Sequence, residues 1–275
     1  MKTKKIGFIG GGNMANSLIS GLIASGHLAQ QIWVSDADQE KLSSLATSMN
    51  INTSASNDAL IAEVDVVVLA VKPQVISAVI KSSIDGFNQS GALIVSIAAG
   101  INQQSLRKWL GADKAIVRCM PNTPALVQTG ATGLHANNNV SEEQHNLAEN
   151  IMRSVGILVW VESEAELDAV TAVSGSGPAY FFLLMEAMEK SALELGLSPS
   201  TAQLLIEQTA LGAARIALES TESPGALRKR VTSPGGTTEQ AIKTFEKGGF
   251  IDLVKQAMQA ANDRSISLSN ELGAE

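Results

Sequence analysis

The chain reads as an α/β protein with an N-terminal Rossmann domain on a parallel sheet, followed by an all-helical C-terminal dimerisation domain. Three observations predict this. Short apolar, β-branched runs alternate with helical patterns over about the first 160 residues, as strands joined by crossover helices do. A glycine cluster separates the first such run from the first helical pattern. After Glu166 no strand-like run follows, and only helical patterns remain.

The expected strands are 6–9, 32–34, 64–71, 93–97, 116–118 and 157–161. The first helix is expected over 13–24, and later ones over 179–196, 199–220 and 250–272. Ser198-Pro199 and Ser223-Pro224 each supply an N-cap hydroxyl followed by a first-turn proline. The change of texture at the acidic stretch 162–166 divides the chain into 1–165 and 166–275. Residues 179–185 are apolar on every face of a helix, so they form either a central core helix or a subunit interface. A helical domain of about 110 residues has little interior in which to bury such a helix alone, which favours an interdigitated dimer.

Composition narrows the function. With 20 Lys and Arg against 27 Asp and Glu the net charge is −7, and aromatics make up 4 % of the chain. Neither the basic footprint of a duplex binder nor the stacking platform of a single-strand binder is present, so nucleic acid is not an expected partner. The single cysteine, Cys119, excludes an internal disulfide and multi-cysteine metal sites and fits a reducing, cytoplasmic setting. Gly7 and Gly10 to Gly12 interrupt any signal-like apolar region, and no apolar run approaches the length of a membrane span. His27, His135 and His145 lie in no metal-ligand spacing and are expected on loops or the surface, with no metal bound. There is no G-x-S-x-G elbow and no Walker loop.

The chemistry-bearing pattern is Gly10-Gly11-Gly12-Asn13-Met14-Ala15, a G-x-G-x-x-A fingerprint placed between strand and helix. Gly10 permits the tight turn, Gly12 lets a pyrophosphate approach the backbone, and Ala15 lets the helix pack close to the strand. The second strand ends at Asp36, which either accepts hydrogen bonds from an adenosine ribose and repels a 2′-phosphate, or is a solvated turn aspartate. Small residues at two further strand ends, Ala70-Val71-Lys72-Pro73 and Ile97-Ala98-Ala99, leave room for a nicotinamide or serve tight packing. Lys72 reaches a phosphate or is simply solvated. In the helical half, Ser233-Pro234-Gly235-Gly236-Thr237-Thr238 precedes a helix over 239–247, with Thr237 and Gln240 at capping-box spacing. It is either an ordinary loop and helix start or a nest of N–H groups and hydroxyls suited to a small carboxylate. A second break, Ser174-Gly175-Ser176-Gly177-Pro178, adds a polar wall or forms a hinge. With no evident acid or base, the substrate expected is one that accepts hydride directly, such as a protonated cyclic imine.

These motifs, with Val95-Ser96-Ile97-Ala98-Ala99-Gly100 and Met120-Pro121-Asn122-Thr123-Pro124, resemble those of Δ1-pyrroline-5-carboxylate reductases over nearly the whole chain. The resemblance implies hydride transfer from NADP(H) or NAD(H) to 1-pyrroline-5-carboxylate, giving L-proline, the last step of proline biosynthesis. It implies an intertwined homodimer that associates further into decamers. It assigns cofactor binding to Ile9, Gly10, Gly11, Gly12, Asn13, Met14, Asp36, Asn57, Ala70, Val71, Lys72, Pro73, Ile97, Ala98 and Ala99. Ser233 and the backbone of Gly236, Thr237 and Thr238 would hold the substrate carboxylate, and the Thr238 hydroxyl would bond the ring nitrogen as the catalytic contact. Glu164 matches the family's acidic substrate contact. Two departures bear on the cofactor: Asp36 stands where many relatives carry Ser or Thr, which welcome a 2′-phosphate, and Arg230, where Asn or an acid is usual, is a cation that could recover phosphate binding. Two rivals remain. A β-hydroxyacid dehydrogenase would need an interdomain catalytic lysine, for which Lys190 is the nearest candidate, and a nucleotide sensor would need the glycine loop without the cradle.

Overall fold

The structure, a computed structural model, describes residues 4–273. The chain runs β1 (Ile6–Ile9), α1 (Asn13–Ala24), β2 (Ile32–Ser35), α2 (Gln39–Met49), β3 (Asn52–Thr53), α3 (Asn57–Glu63), β4 (Val66–Leu69), α4 (Pro73–Ser82), α5 (Ile84–Gln89), β5 (Leu93–Ser96) and α6 (Gln103–Leu110). It continues through β6 (Ile116–Met120), β7 (Gly130–Ala136), α7 (Glu142–Arg153), β8 (Gly156–Trp160) and α8 (Glu166–Val170) into a π-helical turn at Thr171–Gly175. Then follow α9 (Gly177–Glu194), α10 (Pro199–Glu219), α11 (Pro224–Arg230), α12 (Thr237–Lys247) and α13 (Phe250–Gly273).

The strands form one eight-stranded sheet in the order β3-β2-β1-β4-β5-β6-β7-β8. Neighbours are parallel except β6 and β7. Strand order reverses between β1 and β4, the topological switch point at which α/β sheets bind ligands. The continuous valine run of β4 is explained by helices on both faces. Val66 and Val68 pack with the residues of α1, α2 and α7, while Val67 and Leu69 pack with those of α3 to α6. Every strand expected from the sequence forms, within two residues at each end.

Two strands were not foreseen, for different reasons. β3 is a polar two-residue edge strand. β7 reads Gly-Ala-Thr-Gly-Leu-His-Ala and lacks a β-branched run, because it is selected by close packing. A Cβ on its Gly133 would sit 2.7 Å from the Val170 side chain.

The chain divides into two compact units, one running through Ser176 and regaining the chain from Ala260, the other Gly177–Gln259. The first therefore extends beyond the acidic stretch at 162–166, because α8 packs on the sheet: Leu167 is fully buried and its side chain approaches Gly133. The end of α13 also belongs there, Ser265 Oγ donating to Asp168 Oδ1 at 2.6 Å. In the second unit α9 buries only Gly177, and Phe181, Phe182 and Leu183 are 65, 64 and 66 % exposed. The apolar stretch at 179–185 is thus not the core of a self-contained helical domain. Of the three histidines, His27 lies on a loop and His145 half-buried on α7, as expected of loop or surface positions, while the burial of His27 and the strand setting of His135 were not expected. His27 is buried, which pushes its imidazole below the usual range, His135 lies within β7, and His145 stacks on Trp160 with centroids 3.6 Å apart.

Candidate active site

Register builds a candidate site in the first unit. Ile9 lies opposite Ser35 and Leu69, and Leu69 opposite Ser96, so β1, β2, β4 and β5 end in one row. The next residue of each strand is Gly10, Asp36, Ala70 or Ile97, residues distant in sequence that the sheet brings to one edge. The row is tied by backbone bonds from Gly10 N to Ser35 O (2.8 Å), Ala70 N to Ile9 O (2.9 Å) and Ile97 N to Leu69 O (3.2 Å).

The glycine loop fits a dinucleotide pyrophosphate. Gly10 has φ +100°, and a Cβ there would lie 2.7 Å from the Ala70 carbonyl oxygen, so only glycine makes the turn. A Cβ on Gly12 would meet nothing within 4 Å, which leaves space at the N-terminus of α1. Gly12 caps α1 with no side-chain hydrogen bond, so the amides of the first turn stay available to an anion. Ala15 is buried beneath them.

Asp36 is not a free carboxylate. Its Oδ2 accepts from Gly11 N at 2.7 Å and from Lys41 Nζ at 3.1 Å, and its Oδ1 accepts from Asp38 N at 3.0 Å. Burial alone would raise this carboxyl, but the Asp38 and Gly11 amides and the Lys41 ammonium outweigh it and hold it below the usual range. Asn57 is fixed by Ser35 Oγ donating to its Oδ1 at 2.7 Å. Asn13 and Lys72 are exposed, while Met14, Val71, Pro73 and Ile97 are half-buried. Ile9 and Ala98 bury their side chains in the core, so any ligand contact they make is through backbone; Ala99 is exposed.

Two residues near this edge have roles that spacing did not reveal. Asn122 is buried, donates through Nδ2 to Ser174 O at 2.9 Å and accepts from Ala131 N through Oδ1 at 2.9 Å. It ties the loop after β6 to β7 and to the π-helical turn. Arg118, 3 % exposed, donates to Glu164 Oε1 at 3.0 Å. The same Glu164 oxygen accepts from Gln103 N at 2.6 Å, in the first turn of α6. Glu164 therefore has an architectural role in the first unit through Oε1, while its side chain stays 26 % exposed.

A second candidate site lies in the second unit. Gly236 N donates to Ser233 O at 3.0 Å, and Gly235 has φ +72°, a type II turn with proline and glycine at its central positions. Gly236 caps α12, so the anticipated Thr237–Gln240 capping box does not form. Instead Glu239 Oε2 accepts from Gly235 N at 3.0 Å. That amide, and then Lys243, hold the Glu239 carboxyl below the usual range. The Gly235 amide is thus engaged by Glu239 and the Gly236 amide by the turn itself, so the Gly236 N–H does not offer itself to a substrate. What remains for an anion is the amides of Thr237 and Thr238 at the helix start, with the exposed hydroxyls of Ser233 and Thr238. Lys190 is exposed and paired with Glu186 at 2.6 Å, an ordinary surface helix pair without the setting of a catalytic lysine. Arg230 pairs with Glu222 at 2.5 Å.

Residues 5–100 match a family profile described as NADP oxidoreductase, coenzyme F420-dependent, and residues 164–268 one described as pyrroline-5-carboxylate reductase dimerisation. The chain is 53 % identical over 273 residues to a pyrroline-5-carboxylate reductase of Pseudomonas aeruginosa, covering 99 % of this chain and 100 % of that protein. It is similar to the structure of a pyrroline-5-carboxylate reductase from Coxiella burnetii, with a TM-score of 0.93, 48 % identity and coverage of 97 % and 99 %. It is also similar to the pyrroline carboxylate reductase of Plasmodium falciparum, solved with NADP bound, with a TM-score of 0.87, 29 % identity and coverage of 98 % and 99 %. With identity above half and near-complete mutual coverage, on a fold whose glycine loop fits a dinucleotide, the chain belongs to the pyrroline-5-carboxylate reductase family.

Proposed function

We propose that this chain is an NAD(P)H-dependent oxidoreductase that reduces 1-pyrroline-5-carboxylate to L-proline, the closing step of proline biosynthesis. The observation that carries the reading is the presence, in one chain, of an open glycine loop for a dinucleotide and a second anion-binding turn with uncommitted hydroxyls. A nucleotide sensor would need only the first.

When bound, the reduced dinucleotide would supply a hydride to C5 of the protonated imine, converting the C=N bond to the saturated secondary amine of proline. The protein's residues bind and orient. Gly10 shapes the turn, Gly12 leaves space for the pyrophosphate, and the N-terminus of α1 favours its charge. Ser233 Oγ and the amides of Thr237 and Thr238 hold the substrate carboxylate, and Thr238 Oγ accepts the hydrogen bond of the ring N–H. Because the imine arrives protonated, rate enhancement comes from holding two carbons in a near-attack geometry, with no titrating side chain required.

The protein works as a homodimer whose second units intertwine, with decamers as the next level of assembly, and it acts in the cytoplasm. The exposed apolar faces of α9 and the match of 164–268 to a dimerisation profile support the dimer. The single, buried Cys119 suits a reducing compartment, and burial pushes its thiol well above the usual range.

Thr238 provides the test. Thr238→Ala removes one hydrogen bond to the reacting ring and should lower kcat/KM by about tenfold or more, with far-UV circular dichroism and dinucleotide affinity unchanged. Unchanged kinetics would take Thr238 out of the mechanism.

A further inference from the structure

The acidic end of β2 and the NADP-type character of the matched profile pull in opposite directions. A free carboxylate at the adenosine ribose favours NAD(H), because it accepts hydrogen bonds from the 2′-hydroxyl and repels a 2′-phosphate. Asp36 is held on both oxygens, however, and one of its partners is a cation. Lys41 starts from the first turn of α2, where its own amide donates to the N-cap Asp38 at 3.0 Å, and folds back so that its ammonium meets Asp36. Its Cδ lies 3.5 Å from where a Gly11 Cβ would stand, so the lysine runs alongside the glycine loop. The Lys41 side chain is 40 % exposed against 14 % for Asp36, and an ammonium has three donors, of which Asp36 takes one. The group facing outward from this corner is thus the cation. Arg230, the cation at the other departure from the family pattern, is already engaged by Glu222.

We infer that Lys41 is the residue that determines cofactor choice: its ammonium neutralises Asp36 and pairs with the 2′-phosphate of NADP(H), so that an acidic strand end still accepts the phosphorylated dinucleotide. The inference rests on the dinucleotide site proposed above and adds its specificity.

Calorimetric titration of the purified protein with NADP⁺ and with NAD⁺ tests it without reference to turnover. Replacing Lys41 removes a charge-assisted contact and uncovers the Asp36 carboxylate, so Lys41→Gln should raise the Kd for NADP⁺ by about tenfold or more and leave that for NAD⁺ within about threefold. Lys41→Arg should retain NADP⁺ binding, and Asp36→Ser, which leaves Lys41 unopposed, should tighten it. Lys41 is on the surface of α2 and glutamine is a comparable helix former, so the variant fold should persist; circular dichroism checks this. Equal weakening of both dinucleotides would mean that Lys41 acts only through the shape of the glycine loop, and an unchanged NADP⁺ Kd would mean that it does not reach the phosphate. Either result overturns the inference while leaving the dinucleotide site intact. A wild-type protein that binds neither dinucleotide would overturn the site itself, and the inference with it.

Discussion

At the scale of single residues, the structure separates groups that present themselves to ligands from groups that hold the site in place. Thr238 and Ser233 are exposed, with hydroxyls outside any internal network, whereas Glu164 shares one oxygen between a buried guanidinium and a helix-start amide. Glu164→Ala would leave the Arg118 charge buried without its partner, which typically costs about 3 kcal/mol or more. Urea denaturation should show that loss as a lower midpoint at an unchanged slope, and a stability equal to wild type would contradict the architectural role. The pH dependence of Asp36 has a definite sign. Its folded-state carboxyl is held below its ordinary value of 3.8, so the stability it contributes is present above that value and is lost as pH falls through the lower folded-state value. Gly10, Gly12, Asp36 and the cradle were legible in the sequence because turn chemistry and strand ends leave local signatures. Asn122 and Arg118 were not, because each acts through a partner that only the folded chain brings near, 52 residues away for Asn122 and Ser174 and 46 for Arg118 and Glu164; Lys41 lies five residues from Asp36, but its course along the glycine loop leaves no local signature.

Loops and helix starts carry the next set of consequences. The two outer glycines of the fingerprint do different jobs and should fail differently. Gly10→Ala places a side chain at φ +100° and against the Ala70 carbonyl, so it should destabilise the fold by about 1–3 kcal/mol. Gly12→Ala meets open space and should cost less than about 1 kcal/mol, yet it intrudes where the pyrophosphate approaches and should weaken dinucleotide binding. Thermal melts set beside dinucleotide titrations separate the two, and identical behaviour of both variants would refute the assignment. Asn122→Ala strips partners from Ala131 N and Ser174 O, half-buried contacts worth about 1 kcal/mol or more each when left unmade. The chain at the π-helical turn should then open more readily, and limited proteolysis should cut near Ser174 and Gly175 faster than in wild type. Parallel strands and their helices were readable because buried valine runs and 3.6-residue periodicity are local features. β7 was hidden because close approach to Val170, not β-propensity, makes it a strand.

The whole molecule keeps its two candidate anion-binding features on separate compact units, the glycine loop in the first and the 233–238 turn in the second. The unit Gly177–Gln259 leaves large apolar side chains uncovered, including Phe181, Phe182, Leu183 and Leu211. Exposed apolar surface of this kind marks protein–protein contact. Leu183→Glu, placing a charge on α9, should shift the protein towards monomer in light scattering, and retention of the wild-type mass would exclude that face from the interface. The all-round apolar pattern at 179–185 made this surface legible, but the return of the chain from Ala260 to the first unit was not, since α13 reads as one uninterrupted helix. The central claim is one of chemistry, and it is tested most directly by following the absorbance of NADPH and of NADH when 1-pyrroline-5-carboxylate is added to the protein. The account predicts loss of reduced cofactor matched mole for mole by L-proline; no loss with either cofactor, or loss without proline, would contradict it.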